Sequence, residues 1–252
     1  MKKINFLCSF SLALSAFVCI SACSKDDDEY GNHDAVDLGL TSGIKWAKTN
    51  VGANNSWDYG SYFSWGETIV KSDYNWDTYK YCKGSHNSLT KYCGNSDYGK
   101  DGFTDALTTL VANDDAATTN WGNGWETPTA EDWEELSNLC YWIWTSDYSN
   151  TGKSGFIVYK TKQDGDKGMK AYVDSIPSTA YSLSDAHIFL PVAGYRDDTI
   201  LVGGGDFCYY WTASLDEYYP SGARLYHIDR VFISISNKDR YCGMPIRPIR
   251  RK

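Results

Sequence analysis

Nine of the ten tryptophans in this chain fall between Trp46 and Trp144, and 22 glycines are scattered through the same sequence. Large flat side chains broken up by glycine suit short strands and many turns, whereas long helices want Ala, Leu, Glu and Lys. Tyr and Phe raise the aromatic share to 15% of 252 residues, enough to build a sizeable core. The balance of 42% hydrophobic and 22% charged residues excludes a disordered chain, and six prolines exclude a collagen-like one. The formal charge of −8 argues against a general nucleic-acid binder, which would draw its affinity from Lys and Arg on phosphates. The expected fold class is α+β: loop-rich, with short antiparallel strands and one or two short helices.

The first residues read as an address. Lys2 and Lys3 precede a mainly apolar run from Phe6 to Ile20, followed by Ser21-Ala22-Cys23. A charged start, a short apolar stretch and small residues before the break make a secretory signal over residues 1–22. The run is short for a spanning helix. Cysteine directly after Ser21-Ala22 resembles the bacterial lipobox, which implies cleavage before Cys23 and acylation of its thiol. Residues 23–34 form a tether in which Asp26, Asp27, Asp28 and Glu29 repel one another and stay solvated. They resemble the acidic signal that sends lipoproteins of the Bacteroidota to the outer surface, so the expected location is the outer membrane, facing outward.

Beyond Cys23 five cysteines remain: Cys82, Cys93, Cys140, Cys208 and Cys242. Five is odd, so at least one thiol is free or pairs outside the chain. Cys82 and Cys93 sit in the echoing phrases Tyr81-Cys82 and Tyr92-Cys93 and are candidates to close a short loop. Cys140 lies at an apolar helix end and reads as a small buried hydrophobe.

Ala35 to Leu40 alternates, Thr41-Ser42-Gly43 turns and Ile44-Lys45-Trp46 alternates again, which predicts an opening hairpin. Gly60 to Gly66 is a second strand candidate, and residues 67–102 read as a long loop region. A brief helix is expected from Asn113, ending before Trp121. A better-signalled helix starts at Thr129, with Asp132 three residues on and Pro128 upstream. Trp133, Leu136 and Cys140 then share one face. Strands are expected at Gly155–Lys160, Ile188–Pro191, Tyr209–Ala213, Ala223–Ile228, Ile233–Ser236 and Met244–Ile249, with residues 161–187 a polar excursion. All seven arginines lie in the last quarter. They suit either an acidic-ligand surface or, more simply, stacking on aromatic faces and tying of loop carbonyls.

An ordered series of phrases runs through residues 35–252. It begins with Val36-Asp37-Leu38-Gly39-Leu40, Gly43-Ile44-Lys45-Trp46-Ala47 and Tyr62-Phe63-Ser64-Trp65-Gly66-Glu67. It continues through Asp114-Asp115-Ala116-Ala117, Asn120-Trp121-Gly122 and Trp125-Glu126-Thr127-Pro128-Thr129. It closes with Phe189-Leu190-Pro191-Val192-Ala193-Gly194-Tyr195-Arg196, Tyr210-Trp211-Thr212-Ala213-Ser214 and Arg240-Tyr241-Cys242-Gly243-Met244-Pro245-Ile246-Arg247. Together these resemble the Fibrobacter succinogenes major paralogous domain as it occurs in Bacteroidota surface lipoproteins. The resemblance implies a C-type-lectin-like fold, related to formylglycine-generating enzymes, over residues 35–252, with 161–187 as an insertion. Some targets of diversity-generating retroelements share that fold and this kind of C-terminus, in which residue types vary over a fixed scaffold.

On that pattern Ile228, Ile233, Ile235 and Ile246 stand where the family keeps buried apolar residues. The expected ligand face comprises Phe207, Tyr209, His227, Phe232, Ser234, Ser236, Lys238, Asp239 and Tyr241. Strand alternation sends Phe232, Ser234 and Ser236 opposite Ile233 and Ile235. A mixture of aromatic, hydroxyl and charged groups on a rigid frame is the composition of a binding face. Two departures stand out. Glu126 replaces an arginine that usually precedes the helix start, and Cys208 and Cys242 occupy variable positions, either as a disulfide between neighbouring strands or as two incidental thiols.

Metal-ligand spacing, a phosphate loop and the paired cysteines of formylglycine-generating enzymes are missing from the sequence. The expectation is a surface lipoprotein that binds an extracellular protein or glycan, with no catalytic residue, metal or cofactor and no nucleic-acid partner. It touches the membrane through its lipid alone. The other readings are a structural envelope protein and a degenerate formylglycine-generating-enzyme-like domain. Changing Cys23→Ser is expected to abolish incorporation of labelled palmitate and to move the chain out of the membrane fraction; unchanged labelling would show that the acylation site is elsewhere.

Overall fold

A computed structural model describes residues 33–122, 124–171, 181–229 and 233–251; Cys23 and Phe232 lie outside the described residues. The first elements are β1 (Ala35–Val36) and β2 (Lys45–Ala47), then helices α1 (Ala116–Trp121) and α2 (Ala130–Leu139). Strands β3 (Tyr141–Thr145), β4 (Gly155–Tyr159), β5 (Lys170–Ala171), β6 (His187–Pro191), β7 (Tyr195–Asp197) and β8 (Ile200–Val202) follow. The last four are β9 (Cys208–Leu215), β10 (Gly222–Ile228), β11 (Ile233–Asp239) and β12 (Ile249–Arg250). The architecture is α+β and strand-rich, with small sheets in the orders β1-β2-β12, β5-β3-β4-β6, β7-β8 and β11-β10-β9. All pairings are antiparallel except β3 with β5.

Local chemistry explains α2. The Thr129 side chain accepts from the Asp132 N–H, and the Asp132 carboxylate accepts from the Thr129 N–H, a reciprocal cap. Trp133 and Leu136 turn inward from this helix, and Cys140 closes it. Asp115 caps α1 through the Ala117 N–H.

Strand alternation sorts the aromatics into two faces per sheet. Trp142, Trp144, Phe156, Val158, Ile188 and Leu190 face one core, together with Cys208, Tyr210, Tyr226 and Ile228 from the β9–β10 pair. That core therefore lies between two sheets, with Trp133 of α2 stacked on Tyr226 at 4.7 Å. The opposite face of β9 and β10 sends Trp211, Leu215, Ala223 and Leu225 into a second core with Phe63, Trp65, Tyr81 and Tyr92. Gly155 is required where β4 meets β6: an added Cβ would lie 2.3 Å from the Leu190 carbonyl.

Several expectations are corrected. Gly60–Gly66 forms no strand; Phe63 makes one bridge to Met244, and the chain turns at once as the Glu67 N–H bonds the Ser64 carbonyl. Met244–Ile249 is a strand only from Ile249, because Pro245 and Pro248 lack the donors a ladder needs. The excursion at 161–187 is stitched to the main sheet by β5, and Tyr181 stacks on Tyr141. Every described cysteine is an unpaired, buried thiol. Cys208 faces the inter-sheet core and Cys242 the second core, so the sheet itself separates them. Cys82 and Cys93 bond instead to the carbonyls of Trp76 and Asn95, at 3.0 and 3.1 Å.

The arginines follow the simpler reading where they are buried. Arg247, wholly inaccessible, donates to Asn50 Oδ1 and to the carbonyls of Ala47, Lys48 and Phe189. Arg240, equally buried, donates to the carbonyls of Lys91, Tyr92, Pro220 and Ser221. Replacing Arg247→Leu strands four acceptors and is expected to cost about 3 kcal/mol or more in urea unfolding; a loss below about 1 kcal/mol would show that the loops do not depend on it.

Candidate functional face of the C-terminal sheet

Register decides which expected site residues meet. His227 of β10 lies opposite Ser234 of β11 and Tyr209 of β9, so the three form one row across the sheet. The next row is Ser236, Leu225 and Trp211, and Lys238 pairs with Ala223 beyond it. Tyr209, His227, Ser234, Ser236 and Lys238 therefore share one face. The second core covers Trp211, Leu225 and Ala223 but leaves Ser234 and Ser236 exposed.

The aromatic members touch. Tyr209 and His227 stack at 4.6 Å with 6° between their planes. Phe207, 36% exposed just before β9, tilts toward both at 5.9 and 6.0 Å. Tyr195 of β7 meets Tyr209 edge-on at 5.2 Å, and Lys238 Nζ sits 4.3 Å from the Tyr195 ring centre. Such contacts fix ring orientation before any ligand arrives.

Two expected members stand apart. Asp239 has the opposite strand parity, and its Oδ1 accepts from the Tyr219 hydroxyl at 2.9 Å, which fastens the β9–β10 connection. Tyr241 lies past the end of β11, packs edge-on against Trp76 at 5.1 Å and interacts with Asp197. Tyr195 and Asp197 are contributors the sequence reading missed. The Asp197-Asp198 pair has turn composition, yet the two-residue spacing of Tyr195 and Asp197 puts both on one side of a strand. The turn of the β7–β8 hairpin instead uses Asp198, at φ 51°.

The electrostatics are those of a mostly neutral face. Burial lowers the His227 imidazole below its ordinary value, against the pull of Asp229. Its buried Nε2 makes no hydrogen bond and lies 3.5 Å from Asp229 Oδ2. The Tyr209 hydroxyl is pushed up, first by burial. Thiols elsewhere are poorly suited to nucleophilic work: burial pushes Cys140 and Cys242 up to about 12.

Asp114 forms a separate buried cluster. It accepts from the Tyr81 hydroxyl, from Lys91 Nζ at 2.5 Å and from the Tyr92 hydroxyl at 2.7 Å. With Asp115 serving as a cap, this pair is structural. Among the described residues no group of three or more His, Cys, Asp or Glu is placed to hold a metal, and no helix is long and apolar enough to cross a membrane. Comparison with protein-family models, with curated proteins and with solved structures finds no match to this chain.

A depressed His227 pKa means the unfolded chain binds this proton more readily than the folded one. Stability is therefore held above pH 6.5 and declines as pH falls below it. NMR titration is expected to place His227 below 6.5, and His227→Gln should flatten the stability profile between pH 5 and 6.5. A titration midpoint above 6.5 would refute the neutral stack.

Proposed function

We propose that the chain is a surface lipoprotein of the outer membrane whose domain binds an extracellular protein or glycan through the β9–β11 face. The observation that carries this is the row Tyr209, His227, Ser234, flanked by Phe207, Ser236 and Lys238. It offers pre-oriented aromatic surface with hydroxyl and cationic groups at its margin, on strands rather than on a loop. Rigid aromatic anchors edged by adaptable polar groups lose little entropy on binding.

The lectin-like assignment rests on the ordered sequence phrases, supported by the strand-rich α+β architecture with its two helices. A purely structural role gives no reason for the second core, against which Tyr209 packs, to leave Ser234 and Ser236 exposed beside the stacked ring pair. Thiol chemistry of the formylglycine-generating kind is disfavoured by the burial of every described cysteine. The proposed role is binding, and it invokes no catalysis, cofactor or metal.

The test is a screen of the purified chain against glycan arrays and displayed surface proteins, repeated with Phe207→Ala and Ser236→Arg. Both positions are exposed, so the fold should tolerate them. For any ligand detected, truncating the aromatic is expected to weaken binding about thirtyfold, the scale of a hot-spot residue. The arginine should abolish binding by occupying the face. Unaltered affinity in both variants would place the ligand elsewhere.

A further inference from the structure

The chain enters its described part beside an apolar groove. His33 stacks on Trp121 with ring centres 3.8 Å apart and planes 11° apart. Both line a groove of about 430 Å³ with Val51, Phe63, Ile69 and Val70. Ile69 is 77% exposed and Val70 52%. Their loop is braced rather than frayed. Glu67 Oε1 accepts from Lys71 Nζ at 3.0 Å and from the Lys80 N–H at 2.8 Å, bracketing the two residues. The Thr68 carbonyl accepts from Asn120 Nδ2 at 3.1 Å, tying the loop to the helix that carries Trp121. Polar bonds thus hold two adjacent aliphatic side chains out into water, an arrangement typical of an interaction surface.

We infer that this rim seats on the lipid surface that carries the acyl anchor, so that Ile69 and Val70 contact the membrane beside the lipid, where the sequence led us to expect contact through the lipid alone. The inference rests on the lipoprotein reading of Cys23. His33 lies ten positions after Cys23, so even a fully extended tether spans at most about 35 Å. A relaxed one spans roughly half that. The anchor therefore keeps the face around His33 within reach of the bilayer, and the exposed aliphatic pair belongs to that face. The tether is a poor occupant of the groove itself, because Asp26 to Glu29 would bring four carboxylates to an apolar wall. Hydrocarbon and the interfacial region of a bilayer match it, and a short apolar rim adds a second, reversible contact to a covalent anchor.

The experiment uses the full lipidated chain in phosphatidylcholine vesicles containing nitroxide-labelled lipid. A fluorophore is placed at Ile69→Cys or, as the reference, at Tyr218→Cys, which is 90% exposed on the β9–β10 connection. The native thiols of the domain are buried and stay unlabelled. Quenching at position 69 is expected to exceed that at 218 at least threefold, and Val70→Asp should reduce it while the chain stays vesicle-bound. Equal quenching at both positions, with the acyl group confirmed on Cys23 by mass, overturns the membrane contact and leaves the lipoprotein reading intact. Concentration-dependent protection of position 69 without lipid overturns it in favour of a second copy of the chain. Absence of the acyl group, with no vesicle binding, removes both readings together.

Discussion

Two buried guanidinium groups, Arg240 and Arg247, with no carboxylate partner among the described residues, hold this loop-rich chain in one arrangement. Loops carry carbonyl groups that no ladder satisfies, and a buried carbonyl left unpaired is costly. The planar fork of arginine brings several donors to one point, so one side chain can pin segments remote in sequence. Arg247 joins the chain after β2, the Asn50 loop and β6; Arg240 joins the Lys91-Tyr92 segment to the β9–β10 connection. Burial lowers the Arg247 pKa, the expected penalty for a charge solvated by carbonyl dipoles. The same fastening explains Tyr92, which stays in the left-handed region at φ 56°. Its carbonyl is held by Arg240, its N–H by Asp105 and its hydroxyl by Asp114, so the strain is over-determined.

With the loops fixed, the β9–β11 sheet works as a partition. One face is sealed by tryptophans and α2; the other is sealed only part of the way along. The edge of the second core, on which Tyr209 still packs while Ser234 and Ser236 are left exposed, sets which side chains meet solvent. The candidate face is thus defined as much by where packing stops as by the residues on it.

Features governed by neighbours a few residues apart were legible in the sequence. The α2 cap, the opening hairpin and the strands around Tyr209, Ala223 and Ile233 all depend on local alternation or spacing. Alternation also placed Ser234 and Ser236 opposite Ile233 and Ile235, which pack against the inter-sheet core. Features set by distant partners were not legible. Gly60–Gly66 has strand-like composition but no strand beside it, and the thiols of Cys208 and Cys242 diverge because the sheet divides them. Glu126 makes an ion pair, at 2.5 Å to Arg251, which also reaches Asp132 at 2.7 Å. Nothing local to Glu126 announces a partner 125 positions later. The row of Tyr209, His227 and Ser234 likewise depends on strand register, which one strand alone does not encode.

The pairing of β12 with β2 has a consequence for synthesis. Trp46 lies opposite Ile249, so the first sheet lacks its third strand until the chain has been made as far as Ile249. Arg247, which secures the loop after β2, arrives just two residues earlier. Contacts of such long sequence separation form late and slow the search for the native state. Until then the tryptophan-rich segment from Trp46 to Trp144 lacks its sealing strand, so this part of the domain closes late, like a purse drawn shut by a distant thread.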